Sequence, residues 1–444
     1  MSSATPSLAN PSIVPSRHPV PRALEAVIAV GICLLLAFGP LAFGATQAWA
    51  VFVLEEGAAL LLVAWAVRSL VVGRMEIAGN PLYAPMLLFA VLVGLQLLLH
   101  RTAYWYATWQ KALLWAAFAG LFFLTGQSLG RHRWIRRFGI SATFFGWALA
   151  MFAILQKFAG NGKIYWVVRN QAAADFFGPY PNHSHYAGLM EMLVPFPLVL
   201  AIAGFSSLPA RLLYSFAGII MGSSILLSQS RGGVIAFVVE LGVLTLLTAA
   251  GRPRRTQIGL LGMFGLLLVF CFLLVRPHGL WDRFMQLGEH VDRAHDENRL
   301  TMLEDSLKMV RQRPLLGWGF GTFAVVYPSF RSFYTDLRVN AAHDDFLELT
   351  VETGFAGLAL VIGFLYLLYR SGARGARHWR REAQAGMRLA ALIGCTGLIV
   401  HSFSDFNLQV PANAAMFFVL AAIATANDPE GAALRQPPKE TSAE

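Results

Sequence analysis

Residues 210–250 read ARLLYSFAGIIMGSSILLSQSRGGVIAFVVELGVLTLLTAA, two long apolar runs separated by the short polar segment 228–233. A transmembrane helix needs about 20 predominantly apolar residues, so each run is long enough to cross a bilayer. Arg231 lies between the runs, where a charge is tolerated only at the membrane boundary. This stretch therefore predicts a helical hairpin that presents an arginine at the membrane surface.

The same apolar character extends along most of the 444-residue chain. Hydrophobic residues make up 56% and charged residues 14%, with a mean hydropathy of +0.55. Soluble domains carry about 25% charged residues, so this composition excludes a cytosolic enzyme, a disordered chain and a fibrous protein. The apolar runs are continuous, which excludes the period-two alternation of an outer-membrane barrel. We expect an all-α polytopic membrane protein.

Twelve apolar runs are candidate transmembrane helices. They cover roughly 24–43, 49–71, 81–99, 112–129, 138–158, 184–203, 210–228, 232–250, 257–275, 346–369, 386–403 and 411–426. The implied organisation is a disordered cytoplasmic tail (1–23), nine helices (24–275), one long periplasmic segment (276–342), three helices (343–427) and a second tail (428–444). Within the long segment, Leu300, Leu303, Leu307 and Val310 have helical spacing, which predicts an amphipathic helix lying on the bilayer.

The basic residues predict the orientation of the bundle. With the N-terminus in the cytoplasm, most of the 35 lysines and arginines fall in cytoplasmic loops and tails, as the positive-inside rule requires. Both termini are then cytoplasmic. The net charge of +10 is explained by basic loops beside anionic lipid headgroups, and no nucleic-acid motif accompanies it. We expect membrane lipids, and no nucleic acid, among the partners.

The sequence offers little support for a metal or a disulfide. Cys33, Cys271 and Cys395 all lie inside apolar runs, which argues against a disulfide framework or a thiolate site. His183 and His185 form an H-x-H pair, but no third ligand is evident near them. We expect neither a metal nor a cofactor.

Two arginines and a histidine are the leading candidates for chemistry. Arg231 is flanked by serines and glycines at the start of a helix, whose positive dipole end favours an anion. Arg299 opens the amphipathic helix and is either a second anion ligand or a local ion pair with Asp296 or Glu297. A histidine ordinarily titrates near neutral pH, so His343 could accept a proton from a sugar hydroxyl.

Carboxylates accompany these candidates. Asp344 or Glu348 could orient His343. Glu55, Glu191 and Glu240 lie within apolar spans, where a carboxylate is costly and usually faces the bundle interior. They could pair with arginines, or mark a proton path if the protein is a transporter.

Four motifs occur in order over about residues 170–360. They are NHSHYAG (182–188), SQSRGGV (228–234), RQRPLLGWGFGTF (311–323) and AHDDFLE followed by ETGFAG (342–348 and 352–357). Together they resemble the signature blocks of the O-antigen ligase and Wzy-type polymerase superfamily. One departure is Asp344, where the family more often has asparagine.

The resemblance implies a GT-C-like membrane glycosyltransferase of the bacterial inner membrane with its active site facing the periplasm. Its donor would be an undecaprenyl-diphosphate-linked glycan. Its acceptor would be lipid A–core for a ligase or a second lipid-linked glycan for a polymerase, and the sequence leaves both open. A polysaccharide transporter or flippase is a further alternative.

The resemblance also assigns roles to residues. Arg231 and Arg299 would bind the diphosphate and His343 would act as the base. We expect the substrate to be lined by Ser230, Gly232, Asn182, His185, Arg338 and Asp344.

Overall fold

The computed structural model describes residues 19–73, 75, 77–129, 132–170, 175–275, 291–334 and 339–426. Side chains are not described at 19–22, 132–133, 267–268, 270–275 and 291–299. Most of the two predicted tails, the stretch 276–290 of the long segment, Arg338 and the side chain of Arg299 therefore lie outside the described residues.

The described chain is almost entirely helical. Its helices are α1 (Pro19–Leu41), α2 (Ala48–Val72), α3 (Tyr83–Leu98), α4 (Trp105–Leu124), α5 (His132–Ala159), α6 (His183–Leu193), α7 (Pro195–Ile202), α8 (Leu208–Ser228), α9 (Arg231–Ala249), α10 (Arg254–Val275), α11 (Val291–Gln312), α12 (Phe323–Val326), α13 (Asp345–Gly375), α14 (Ala383–His401) and α15 (Pro411–Thr425). Three 3₁₀ turns (Phe43–Ala45, Tyr327–Ser329 and Asn407–Gln409) and a π turn (Thr125–Leu129) join them, and β1 (Lys163–Ile164) pairs with β2 (Val168–Arg169) in an antiparallel hairpin.

Each predicted apolar run coincides with helical structure. Nine helical segments among the described residues are long and apolar enough to cross a membrane, while α3 and α15 are apolar but shorter. The all-α membrane class is confirmed; the count of twelve spans and the GT-C-like topology remain predictions. The run 184–203 is divided between α6 and α7 at Pro195, because proline lacks the N–H that continues a helix.

The most buried helices form the centre of the bundle. In the apolar windows of α6–α7 and of α14, 83% of residues are buried, against 17% in α2. Close approach at the centre depends on small residues. A Cβ at Gly394 would lie 2.6 Å from the carbonyl oxygen of Met192, so α14 packs directly on the backbone of α6. This contact places the C-terminal end of α14 beside the polar start of α6.

Helix α11 covers the predicted amphipathic segment. Of the predicted apolar stripe, Leu300, Leu303 and Leu307 are exposed, whereas Val310 is buried with Met302 and Met309 against α13 and its surroundings. Asp305 is buried as well and accepts hydrogen bonds from Lys308 and Ser332. The polar anchor, rather than the leucine stripe, therefore fixes the helix to the protein and leaves the leucines free to meet lipid.

The glycine-rich loop after α11 interlocks with α13. Trp318 N–H donates to Val351 O (3.0 Å), and Phe355 N–H donates to Pro314 O (2.7 Å). Both bonds exist because α13 breaks at Gly354, which has φ 67° and ψ −171°. Only glycine adopts this backbone readily. A Cβ there would overlap the carbonyl of Leu315. The glycine-rich loop is therefore bound to the backbone of α13 on both sides of the break.

We expect Gly354→Ala to destabilise the protein. This backbone conformation, with positive φ and ψ near 180°, costs an L-residue about 1–3 kcal/mol, and the overlap with Leu315 adds to that cost. Gly363→Ala, in the same helix with open space around its Cβ position, should be neutral or slightly stabilising. Thermal melting in detergent measures both variants. Equal melting temperatures for the two variants would contradict the claim that the break at Gly354 stabilises the contact between the glycine-rich loop and α13.

Candidate active site

The backbone of the turn that carries Arg231 is fixed by the end of α8 and by the cap of α9. Helix α8 ends with Gln229 in the left-handed conformation (φ 62°). Ser230 is buried and caps α9, because its Oγ accepts from Gly233 N–H at 3.1 Å. Arg231 is exposed, and its side chain makes no hydrogen bond or ion pair with the residues that the structure describes. The turn therefore presents a guanidinium at the positive end of a helix.

The two glycines of this turn serve packing. A Cβ at Gly232 would lie 2.5 Å from Ser404 Oγ, and one at Gly233 would lie 2.6 Å from Ala187 Cβ. The room they leave is filled by the loop after α14 and by α6. Gly232 thus joins the Arg231 turn to residues 401–404, instead of only leaving space for a ligand.

Asp405 lies between two imidazoles. Its Oδ1 is 3.6 Å from His343 Nδ1 and 4.0 Å from His185 Nε2, distances of ion pairs and not of hydrogen bonds. The ring of Phe406 packs edge-on against both histidines, with centroids 5.0 and 4.7 Å away. His343 is 35% exposed and has a left-handed backbone (φ 55°). One face of its ring is therefore held by the protein while the side chain remains accessible.

The charge of Asp405 follows from these neighbours. Burial alone would raise the pKa of its carboxyl. The His343 imidazole, the positive charge that His185 and His401 can carry, and the Phe406 N–H at 2.9 Å together outweigh burial and hold that pKa well below its ordinary value. Asp405 is thus an anion beside the two imidazoles at neutral pH.

Asp344 and Glu348 have other partners than His343. Asp344 caps α13 by accepting from Phe346 N–H and Leu347 N–H, each at 2.9 Å. Burial raises the pKa of Asp344, and these two hydrogen bonds oppose the rise. Glu348 accepts from Ala342 N–H at 2.8 Å. The expectation that one of them orients His343 was wrong: they fix the backbone on either side of it, and Asp405 faces the ring.

The segment 401–408 joins these parts. Ser230 Oγ is 3.4 Å from His401 Nε2 at one end of the segment. Asp345 holds both ends, because it accepts from Ser402 Oγ beside His401 (2.7 Å) and from Leu408 N–H at the far end (2.9 Å). Because Asp405 lies between these anchors, the Arg231 turn and His343 are held at the same end of the bundle.

Of the remaining predicted site residues, Asn182 is fully described, whereas the two further arginines are not. Asn182 caps α6 by accepting from Ser184 N–H (2.8 Å), and His183 Nδ1 is 2.7 Å from Ser228 O, so this motif packs against the Arg231 turn. The backbone of Arg299 lies in α11. Its side chain, like all of Arg338, lies outside the described residues. A second arginine at the site therefore stays a prediction.

No metal cluster is found where side chains are described. No group of three histidines, cysteines or acidic residues there could hold a metal ion. The H-x-H pair is divided, since His183 faces Ser228 and His185 faces Asp405. Cys33 and Cys395 are free thiols.

Sequence reasoning missed His401 and Asp405. Both belong to HSFSDFN (401–407), a polar cluster between two apolar runs. Its position at the same predicted membrane face as Arg231 was a usable signal. Glu191 was noticed, but its partner is His401, with Nδ1–Oε1 at 3.0 Å, and not an arginine.

The fold and this site define a polytopic helical membrane protein with a polar, partly exposed centre at one end of its bundle. A family model described as O-antigen ligase matches residues 216–362, which contain the Arg231 turn, the glycine-rich loop and His343. The match confirms the resemblance to the O-antigen ligase and Wzy-type polymerase superfamily. Comparison with curated proteins gives no significant match.

We expect Asp405→Asn to lower glycan transfer at least tenfold. The asparagine can still accept from Phe406 N–H, but it removes the charge that stabilises a protonated histidine. Transfer rates in detergent, with melting temperature as a control for folding, measure the effect. Activity within twofold of wild type would show that Asp405 is only a packing residue.

Proposed function

We propose that the protein is a glycosyltransferase of O-antigen ligase type. It moves a glycan from an undecaprenyl-diphosphate donor to a hydroxyl of an acceptor sugar, lipid A–core, at the periplasmic face of the inner membrane. The observation that carries this proposal is the joining of an exposed arginine and a carboxylate-paired histidine by residues 401–408, in a chain whose segment 216–362 matches the family. Both termini would be cytoplasmic.

Arg231 would stabilise the leaving group. As the bond between sugar C1 and the diphosphate oxygen breaks, its electron pair and negative charge pass to the diphosphate. A preorganised guanidinium at a helix N-terminus favours this charge more in the transition state than in the ground state. Arg299, which lies within the region that carries the family motifs, would supply a second guanidinium.

His343 would activate the acceptor. The acceptor oxygen forms a bond to C1 while its proton passes to the imidazole, and Asp405 stabilises the imidazolium that results. Attack opposite the leaving group inverts the anomeric centre. Ser230, Gly232, Asn182, His185, Arg338 and Asp344 would shape the surrounding site. With two arginines neutralising the diphosphate, the reaction needs no metal.

A cavity beside the site suits the donor's hydrocarbon chain. It occupies about 1020 Å³, counting its open mouth, between α3, α4, α13, α14 and α15. Its polar lining residues are Lys111, Asp345 and Gln409, and the rest are apolar, among them Phe89, Phe364 and Phe418. Asp345 follows directly on His343 and Asp344, so the polar end of the cavity adjoins the proposed active site. A prenyl chain would extend from there into the apolar part.

The acceptor distinguishes the alternatives. A Wzy-type polymerase would use a second lipid-linked glycan as acceptor, and a transporter or flippase would form no new glycosidic bond. Purified protein is incubated with a defined undecaprenyl-diphosphate glycan and each acceptor in turn, with EDTA present. Transfer to lipid A–core supports the ligase; transfer only to the lipid-linked glycan assigns the polymerase.

In this assay we expect Arg231→Ala and His343→Ala each to lower transfer by about 10²-fold or more, the range for one electrostatic or acid–base group. Melting temperatures should be unchanged, because both side chains are at least partly exposed. Full activity of both folded variants, or loss of wild-type activity in EDTA, would refute the mechanism.

Two adjacent positions on α13 test the cavity. Val361 lines it, whereas Ile362 is 59% exposed on the outer surface of the helix. We expect Val361→Trp to raise the KM for long-chain donors several-fold while leaving short-chain donors little affected. Ile362→Trp should change neither. A Val361→Trp variant that alters only the KM for the acceptor would assign the cavity to the acceptor lipid instead.

A further inference from the structure

A second histidine–carboxylate pair lies beneath the Arg231 turn, away from the proposed reacting atoms. His401 Nδ1 is 3.0 Å from Glu191 Oε1 and 3.3 Å from Oε2. Both residues are almost fully buried, at 1% and 0% exposure. Burying a carboxylate is costly unless it is paired, so this contact holds α6 and α14 in one arrangement.

His401 bridges Glu191 and Ser230. Ser230 Oγ accepts from Gly233 N–H and lies 3.1 Å from Ser184 Oγ. It also lies 3.4 Å from His401 Nε2, while His401 Nδ1 faces Glu191. One imidazole thus joins the carboxylate of α6 to the serine that caps α9.

The pair contacts the Arg231 turn on both flanks. On one side it reaches Ser230. On the other, a Cβ at Gly232 would lie 2.6 Å from His401 Cδ2, and a Cβ at Gly233 would lie 3.0 Å from Glu191 Oε1. The backbone of Arg231 is therefore anchored to Glu191 and His401, although the guanidinium itself touches neither.

We propose that Glu191 and His401 are positioning residues for Arg231. Their buried contact fixes the direction from which the guanidinium meets the donor's diphosphate. This inference rests on the proposed function, because it needs Arg231 to act on an anion. It predicts that the effect of Glu191 on the rate passes through Arg231.

Glu240 provides a matched control. It lies on α9, the helix that Arg231 begins, and it is equally buried, at 1% exposure. Neither of its carboxylate oxygens has a hydrogen-bond partner among the described residues, and it packs where Gly397 leaves room. Glu240→Gln thus replaces a buried carboxyl group by an amide, as Glu191→Gln does, without removing the anchor of the turn.

A double-mutant cycle tests the coupling. The kcat for transfer is measured for wild type, Glu191→Gln, Arg231→Lys and the double variant, and again with Glu240→Gln in place of Glu191→Gln. Lysine at 231 keeps a charge and leaves a measurable rate. We expect Glu191→Gln to lower kcat at least tenfold in the wild-type background and less than threefold in the Arg231→Lys background. Glu240→Gln should have the same small effect in both.

The outcomes separate the two proposals. Wild-type kcat in Glu191→Gln, or an equal loss in both backgrounds, overturns the positioning role and leaves the proposed function standing. Wild-type kcat in Arg231→Lys and Arg231→Ala overturns the proposed role of Arg231 itself. If Glu191→Gln does not fold, His401→Gln enters the same cycle, since its amide can still donate towards Ser230.

Discussion

The polar centre of this protein depends on buried carboxylates that are each paired with a histidine. Asp405 stands between His343 and His185, and Glu191 is paired with His401. Each carboxylate offsets the cost of placing an imidazole in the bundle, and the short segment 401–405 supplies one member of each pair, Asp405 in the first and His401 in the second. The geometry of Arg231 and His343 follows from that segment, because one end of it contacts Ser230 and the other contacts His343.

The sequence predicts the helices well and their partners poorly. Continuous apolarity determines where a chain can span a membrane, so all twelve runs were recognisable one at a time. Arg231 and His343 were chosen as candidates because each interrupts or borders such a run. Asp405 was missed because its role depends on which loops meet, and that is decided by packing of α14 on α6 through Gly394. No spacing along the chain contains that information.

Long-range contacts decide two features that local patterns leave open. Helical periodicity predicts an apolar stripe of Leu300, Leu303, Leu307 and Val310 on α11; the structure leaves the leucines exposed and buries Val310, beside Asp305, whose carboxylate accepts from Ser332 N–H. All three glycines of 317–321 have positive φ, and their loop is bound to the broken backbone of α13 at Gly354. In both places a hydrogen bond between residues distant in the sequence fixes the segment.

The segment that matches the family does not contain every group that holds the proposed site. Residues 216–362 include Arg231 and His343 but not Glu191, His401 or Asp405, which lie outside them on α6 and around the end of α14. The groups proposed to meet the substrate are therefore held by groups outside the matched segment. Since the partly exposed residues cannot fix their own orientation at a membrane surface, the specificity of the reaction would depend on how these flanking helices pack as much as on the shared motifs.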